Sequence, residues 1–126
     1  MIDIWKSQPE ETNVAKRLGE DELYRVLAAR PRRRILAFLL EESSGTVEEL
    51  TTMLSGWRAG QSSTMITPEE HERIQIELYH RHLPHLDQSG FIEFDPKANT
   101  VRLTPMEADI QQLIGQSIEA EAQLEL

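Results

Sequence analysis

A mainly α-helical domain carrying a small β-hairpin is what this 126-residue sequence predicts, and three observations lead to it. Apolar residues recur at i, i+3, i+4 and i+7 in several separate segments, the period of a helix with one buried face. Two Thr-x-x-Glu boxes, Thr46 to Glu49 and Thr67 to Glu70, mark helix starts at which hydroxyl and carboxylate each take up a backbone N–H. Near the end, Phe91-Ile-Glu-Phe94 and Thr100-Val-Arg-Leu103 alternate around the turn residues Asp95-Pro-Lys-Ala-Asn99, the pattern of a hairpin.

Residues 1–19 hold Ile2, Ile4 and Trp5 without a sustained period and are expected to form a mobile N-terminal arm. From Asp21, Leu23, Tyr24, Leu27 and Ala28 give a short helix that stops before Pro31, because a proline disfavours helix at the residue before it. Pro31 opens a second helix with Ile35, Leu36, Leu39 and Leu40 on one face and Phe38 at its margin, ending in Glu41-Glu42-Ser43-Ser44-Gly45. Thr46 starts a third, short helix through Leu50, Met53, Leu54 and Trp57, which Gly56 and Gly60 end. About ten residues of flexible connection then lead to the next helix.

The dominant element is one long helix from Thr67 to Gly90. Thr67 caps it, Pro68 suits its first position and Gly90 closes it. Ile76, Tyr79, Leu83 and Leu86, extended by Leu78 and His82, form the expected core face, and Glu70, Arg73, Glu77, His80 and Arg81 the polar face. Pro84 removes one helical hydrogen bond and is expected to kink or tighten the last turn. After the hairpin, Thr104-Pro-Met-Glu107 repeats the capping pattern ahead of a final amphipathic helix, residues 105–126.

Composition sets limits on function. There is no cysteine, hence no disulfide and no thiolate chemistry, and no apolar run or leader pattern, so a cytoplasmic protein without membrane association is expected. The 22 acids against 13 bases give a net charge of -9, which by itself argues against a polyanionic partner. Its distribution softens that argument, since residues 105–126 carry five acids and no base, while residues 21–60 balance six acids with six arginines. Three lysines among abundant arginines and carboxylates make the surface expected of a salt-loving organism, and at a Debye length of ~3 Å in 1 M salt net charge says little about partners.

Three helices, a long helix and a two-stranded hairpin form the element order of a winged helix-turn-helix domain, here over residues 20–104 with an additional C-terminal helix. Leu27-Ala-Ala-Arg-Pro-Arg-Arg-Arg-Ile-Leu-Ala-Phe-Leu39 resembles the opening of many prokaryotic winged-helix regulators. Leu78-Tyr-His-Arg-His-Leu-Pro-His-Leu86 with Gly90-Phe-Ile-Glu-Phe-Asp95 resembles an uncharacterised winged-helix domain family common in haloarchaea. That resemblance, over residues 22–104, implies a transcriptional regulator, with His80, His82, Leu83, Pro84 and Leu86 at the end of the recognition helix, residues 91–103 as the wing, and no catalytic residue.

Arg32, Arg33 and Arg34 stand in the first turn of the second helix, the wrong sign for that end of the dipole. Either they hold an anion such as a DNA phosphate with the helix N-terminus, or they pair with carboxylates of this acidic chain. On the long helix, Arg73 and Arg81, with Glu77 and His80, either reach bases and phosphates or form an intrahelical ladder of ion pairs. Lys97 and Asn99 offer contacts from the wing tip. Met106, Ile110, Leu113, Ile114, Ser117 and Ile118 form a stripe that either packs against a twin in a homodimer, the expected arrangement, or folds back on its own domain. His82 and His85 lack further ligands, and His71-Glu72 fails the zinc motif at Gln75, so no metal or other cofactor is expected. The expected function is transcriptional regulation by a homodimer on double-stranded DNA, without catalysis. The alternative is a module that docks another protein of the transcription apparatus.

Overall fold

A computed structural model describes residues 19–62 and 64–124. The expected N-terminal arm and its Trp5 lie outside the described residues, apart from Gly19 at the start of the first helix. The elements are α1 (Gly19–Leu27), α2 (Arg30–Glu42), β1 (Ser44–Thr46), α3 (Val47–Ser62), α4 (Pro68–Glu77), a π-helical turn (Leu78–His82), α5 (Leu83–Gln88), β2 (Ile92–Asp95), β3 (Thr100–Leu103) and α6 (Ala108–Leu124). This is a mainly helical chain with a three-stranded antiparallel sheet in the order β1-β3-β2, a winged-helix layout with a C-terminal helix.

Both capping boxes form. Thr46 Oγ1 accepts from Glu49 N at 3.0 Å while Glu49 Oε1 accepts from Thr46 N, and Thr67 with Glu70 repeats the arrangement at the start of α4. Between Thr104 and Glu107 no box forms: α6 begins only at Ala108, with Glu107 O accepting from Ile110 N and Gln111 N. Thr104 N is instead drawn into the sheet, donating to Phe91 O, which takes the threonine out of capping position.

The third helix is longer than its glycines imply. α3 continues through Gly56 and Gly60 to Ser62, leaving residues 63–67 as the connection to α4. A glycine inside a helix costs only about 1 kcal/mol, and beyond Gly56 the half-buried Trp57 packs against the core and holds the helix on. β1 has no alternation to announce it. Ser43, at φ 72°, turns the chain sharply out of α2, and Ser44, Gly45 and Thr46 become a strand by pairing with Arg102, Val101 and Thr100.

The long helix is continuous but not regular. Leu83 N donates to Leu78 O, five residues back, and the turn between them widens to a π turn. Pro84 offers no N–H and its ring crowds the carbonyl four residues earlier, so the expected tightening is a loosening instead. The core face changes accordingly: Ile74, Leu78, His82, Leu83 and Leu86 are buried, Tyr79 is half-buried, and Ile76 stands 51% exposed. Tyr24 of α1 and Ala28, in the turn just after it, likewise face outward, because Leu23, Val26 and Leu27 make the core contacts.

Gly90, at φ +87°, closes α5 with Gly90 N donating to Asp87 O and Phe91 N to Leu86 O, while the buried Phe91 and Leu86 side chains bring the chain back into the core. From there β2 and β3 pair from Ile92↔Leu103 to Asp95↔Thr100. Asp95 Oδ1 accepts from Lys97 N and Ala98 N and shapes the wing tip. Finally α6 crosses back over α2, burying Ile110 and Ile114.

Candidate nucleic-acid interface

The arginines of α2 are occupied within the fold. α1 ends with carbonyls that its own helix cannot satisfy. Arg32 Nε donates to Val26 O at 3.0 Å and its NH2 group to Arg25 O at 2.7 Å, and Arg33 donates to Leu27 O. Charges of the wrong sign for the start of α2 are therefore of the right sign for the end of α1, which they cap. Arg33 and Arg34 both also bind Glu121 of α6, at 2.5 and 2.9 Å, and Arg34 lies 4.9 Å over the Trp57 ring. Arg32 is only 7% exposed, so as DNA contacts Arg32 and Arg33 are corrected: their guanidinium groups are committed to protein oxygen. Arg32 stands three, four and seven positions before the buried Ile35, Leu36 and Leu39, so the spacing places it on the apolar stripe.

Glu121 is buried, which raises its pKa, but the hydrogen bonds and charges of Arg33 and Arg34 outweigh this and hold the carboxyl below the usual range. The same helix corrects the expected dimer stripe. Ile110 and Ile114 are buried within the chain and Met106 and Ile118 pack at the core margin, leaving Leu113, 42% exposed, and half-buried Ser117 outward. A stripe that covers α2 is not available to a twin.

On the α4 helix and its π turn the polar face remains open. Arg73, His80 and Arg81 are exposed and form no hydrogen bond or ion pair with a described residue; Glu77 is half-buried. Glu70 is held in the capping box, and among the described residues no ion pair joins Glu77 to Arg73 or Arg81. Glu69, Glu72 and Ile76 share this exposed side, so the surface runs from acidic near the start of α4 to basic at the π turn.

The wing is tied to the helix. Tyr79 Oη donates to Asn99 Oδ1, the Tyr79 and Phe94 rings lie 6.0 Å apart, and Asp87 Oδ2 accepts from Phe94 N at 2.8 Å. Asn99, at φ 59°, also accepts from Val47 N through its carbonyl oxygen, so its first role is to fix the wing against α3 and the π turn. Lys97 is exposed at the tip, and Arg102 pairs with Glu93 across β3 and β2.

Beneath the surface, Arg32 NH1 lies 3.5 Å from His82 Nδ1. A guanidinium only donates, so Nδ1 accepts and the imidazole proton sits on Nε2. Burial first, then the charges of Arg32, Arg81, His85 and Arg58, push His82 down to about 4. Arg58 acts on His82 from α3, which packs on α4 and the π turn. A lone arginine in a glycine-flanked segment carries no sequence pattern that marks it. Among the described residues, no group of three or more histidines and carboxylates is placed to hold a metal ion, and no helix is long and apolar enough to cross a membrane.

No curated protein and no solved structure matches the chain. Residues 24–102, from α1 to β3, match a family described as a domain of unknown function, and the chain belongs to that family, DUF7344.

Proposed function

We propose that this chain is a transcriptional regulator of winged helix-turn-helix type that binds double-stranded DNA, without catalysis, in the cytoplasm. The observation that carries the reading is the contrast in how cations are used: Arg32, Arg33 and Arg34 are bonded inside the fold, whereas Arg73, His80 and Arg81 stand exposed, bonded to no described residue, on the helix that such folds lay in the major groove. Arg73 and Arg81 suit phosphate oxygen or guanine, Ile76 a thymine methyl, and Glu77 a cytosine amino group. Lys97 reaches a flanking phosphate from the wing, and Arg58 adds charge beside the π turn. The resemblance to haloarchaeal winged-helix proteins supports the same reading, with salt screening the repulsion from Glu69 and Glu72. Homodimer formation now relies on Leu113 and Ser117 at the outer edge of α6.

Fluorescence-anisotropy titration against the duplex upstream of its own gene and a scrambled duplex, over a salt series, tests the reading. Preference for the native duplex supports it. Absence of binding to both duplexes by the folded protein overturns it.

One observation favours a second reading, docking of a protein of the transcription apparatus. Ile76 is 51% exposed in the middle of the face, flanked by acids, as an anchor entering a partner's groove would be. Under that reading Ile76→Ala abolishes partner binding, and Arg73→Ala has little effect.

A further inference from the structure

Between the C-terminal end of α2 and the first turns of α3 lies an open groove of about 730 Å³ that the DNA reading does not use. Its floor is Phe38 and Met53, both half-buried at the margin of the core. Gly45 of β1 allows Phe38 to lie there, since a Cβ at this position would come within 2.9 Å of the ring. Around the floor stand Glu42, Glu48 and Glu49, with no cation among the lining residues.

Helix formation explains part of this charge. Glu48 and Glu49 occupy the first turn of α3, where acids suit the dipole, and Glu49 also closes the capping box. Glu42 has no such reason. It stands in the last turn of α2, at the negative end of the dipole, exposed and without an ion pair to a described residue. An acid held at an unfavourable helix end, beside an apolar floor, sets the character of the groove.

We propose that this groove docks a basic amphipathic segment of a partner protein, one apolar side chain resting on Phe38 and Met53 and flanking Lys or Arg side chains pairing with Glu42 and Glu48. Charge complementarity selects this occupant. Nucleic acid and acidic peptides bring anions directly against Glu42, Glu48 and Glu49 and are repelled. The groove is separate from Arg73, His80 and Arg81, so DNA and this partner bind independently.

The test titrates the full chain with a short fluorescein-labelled peptide of leucine and arginine in amphipathic helical spacing, and with a counterpart carrying glutamate for arginine. Expected is binding of the arginine peptide alone, with a shift of the Met53 methyl resonance. The pair Glu42→Gln and Glu48→Gln weakens binding roughly tenfold, while Glu72→Gln with Glu119→Gln, the same change of charge elsewhere, leaves it near wild type. Equal weakening by the two pairs, an unmoved Met53 methyl, binding of neither peptide, or a Met53 shift that depends on protein concentration alone overturns the proposal, the last by showing a second copy in the groove.

Discussion

Two arginine-bearing regions of this chain invite the same reading and have opposite fates. At the start of α2, Arg32 and Arg33 cap the last carbonyls of α1, and Arg33 and Arg34 grip Glu121. On the α4 face, Arg73 and Arg81 are exposed and bonded to no described residue. The charge is alike; what differs is whether another element ends within reach. A cation beside unsatisfied carbonyls stabilises the fold, and one facing water remains for a partner.

The largest effect that sharpens this contrast is expected from Arg32→Ala. It removes the buried donor of Val26 O and leaves Arg25 O only the 3.3 Å bond from Ala28 N, at a cost of about 3 kcal/mol in urea denaturation. Stability unchanged within error would break the contrast at its buried end.

Acid titration comes next. His82 has its pKa lowered from 6.5 to about 4, so the unfolded chain binds the proton more readily. The contribution is intact above 6.5 and is lost as pH falls toward 4, by at most roughly 3 kcal/mol. In His82→Gln that slope disappears from denaturation curves measured across this range. Glu121 acts with the same sign lower down: its carboxylate is favoured by folding, and its contribution fades below the ordinary carboxyl range.

A somewhat smaller loss, about 2 kcal/mol, is expected for Glu121→Gln, which removes the charge shared by Arg33 and Arg34. Amide exchange then quickens along α6 before the rest of the chain. Uniform exchange across all elements would show that α6 is not held by this cluster. The smallest effect is a gain: Gly60→Ala, in open space within α3, should add about 0.5 to 1 kcal/mol.

Elements whose signal is local were legible in the sequence. Thr67 and Glu70 define the start of α4, and Asp95 to Asn99 the turn of the hairpin, because the bonding partners lie within a few residues. Elements defined by distant partners were not. Ser44 to Thr46 becomes a strand through residues 100–102, and the covering of Ile110 and Ile114 depends on α2. The π turn lies between: Pro84 announces a disturbance, but whether the helix tightens or widens is settled by packing, and that choice moves Ile76 outward. For the candidate site, exposure of Arg73, His80 and Arg81 followed from helical period, and so did Arg32's place on the apolar stripe, whereas the carbonyls that satisfy its guanidinium there depend on where α1 ends against α2.

The most direct measurement is the salt dependence of DNA affinity for Arg33→Ala and for the double variant Arg73→Ala, Arg81→Ala, with folding checked in each by denaturation. The account predicts that the double variant flattens the plot of log affinity against log salt by about two units while its stability stays within ±0.5 kcal/mol, and that Arg33→Ala leaves the slope unchanged. A slope that falls with Arg33 and not with Arg73 and Arg81 would contradict it, and would return the anion site to the start of α2.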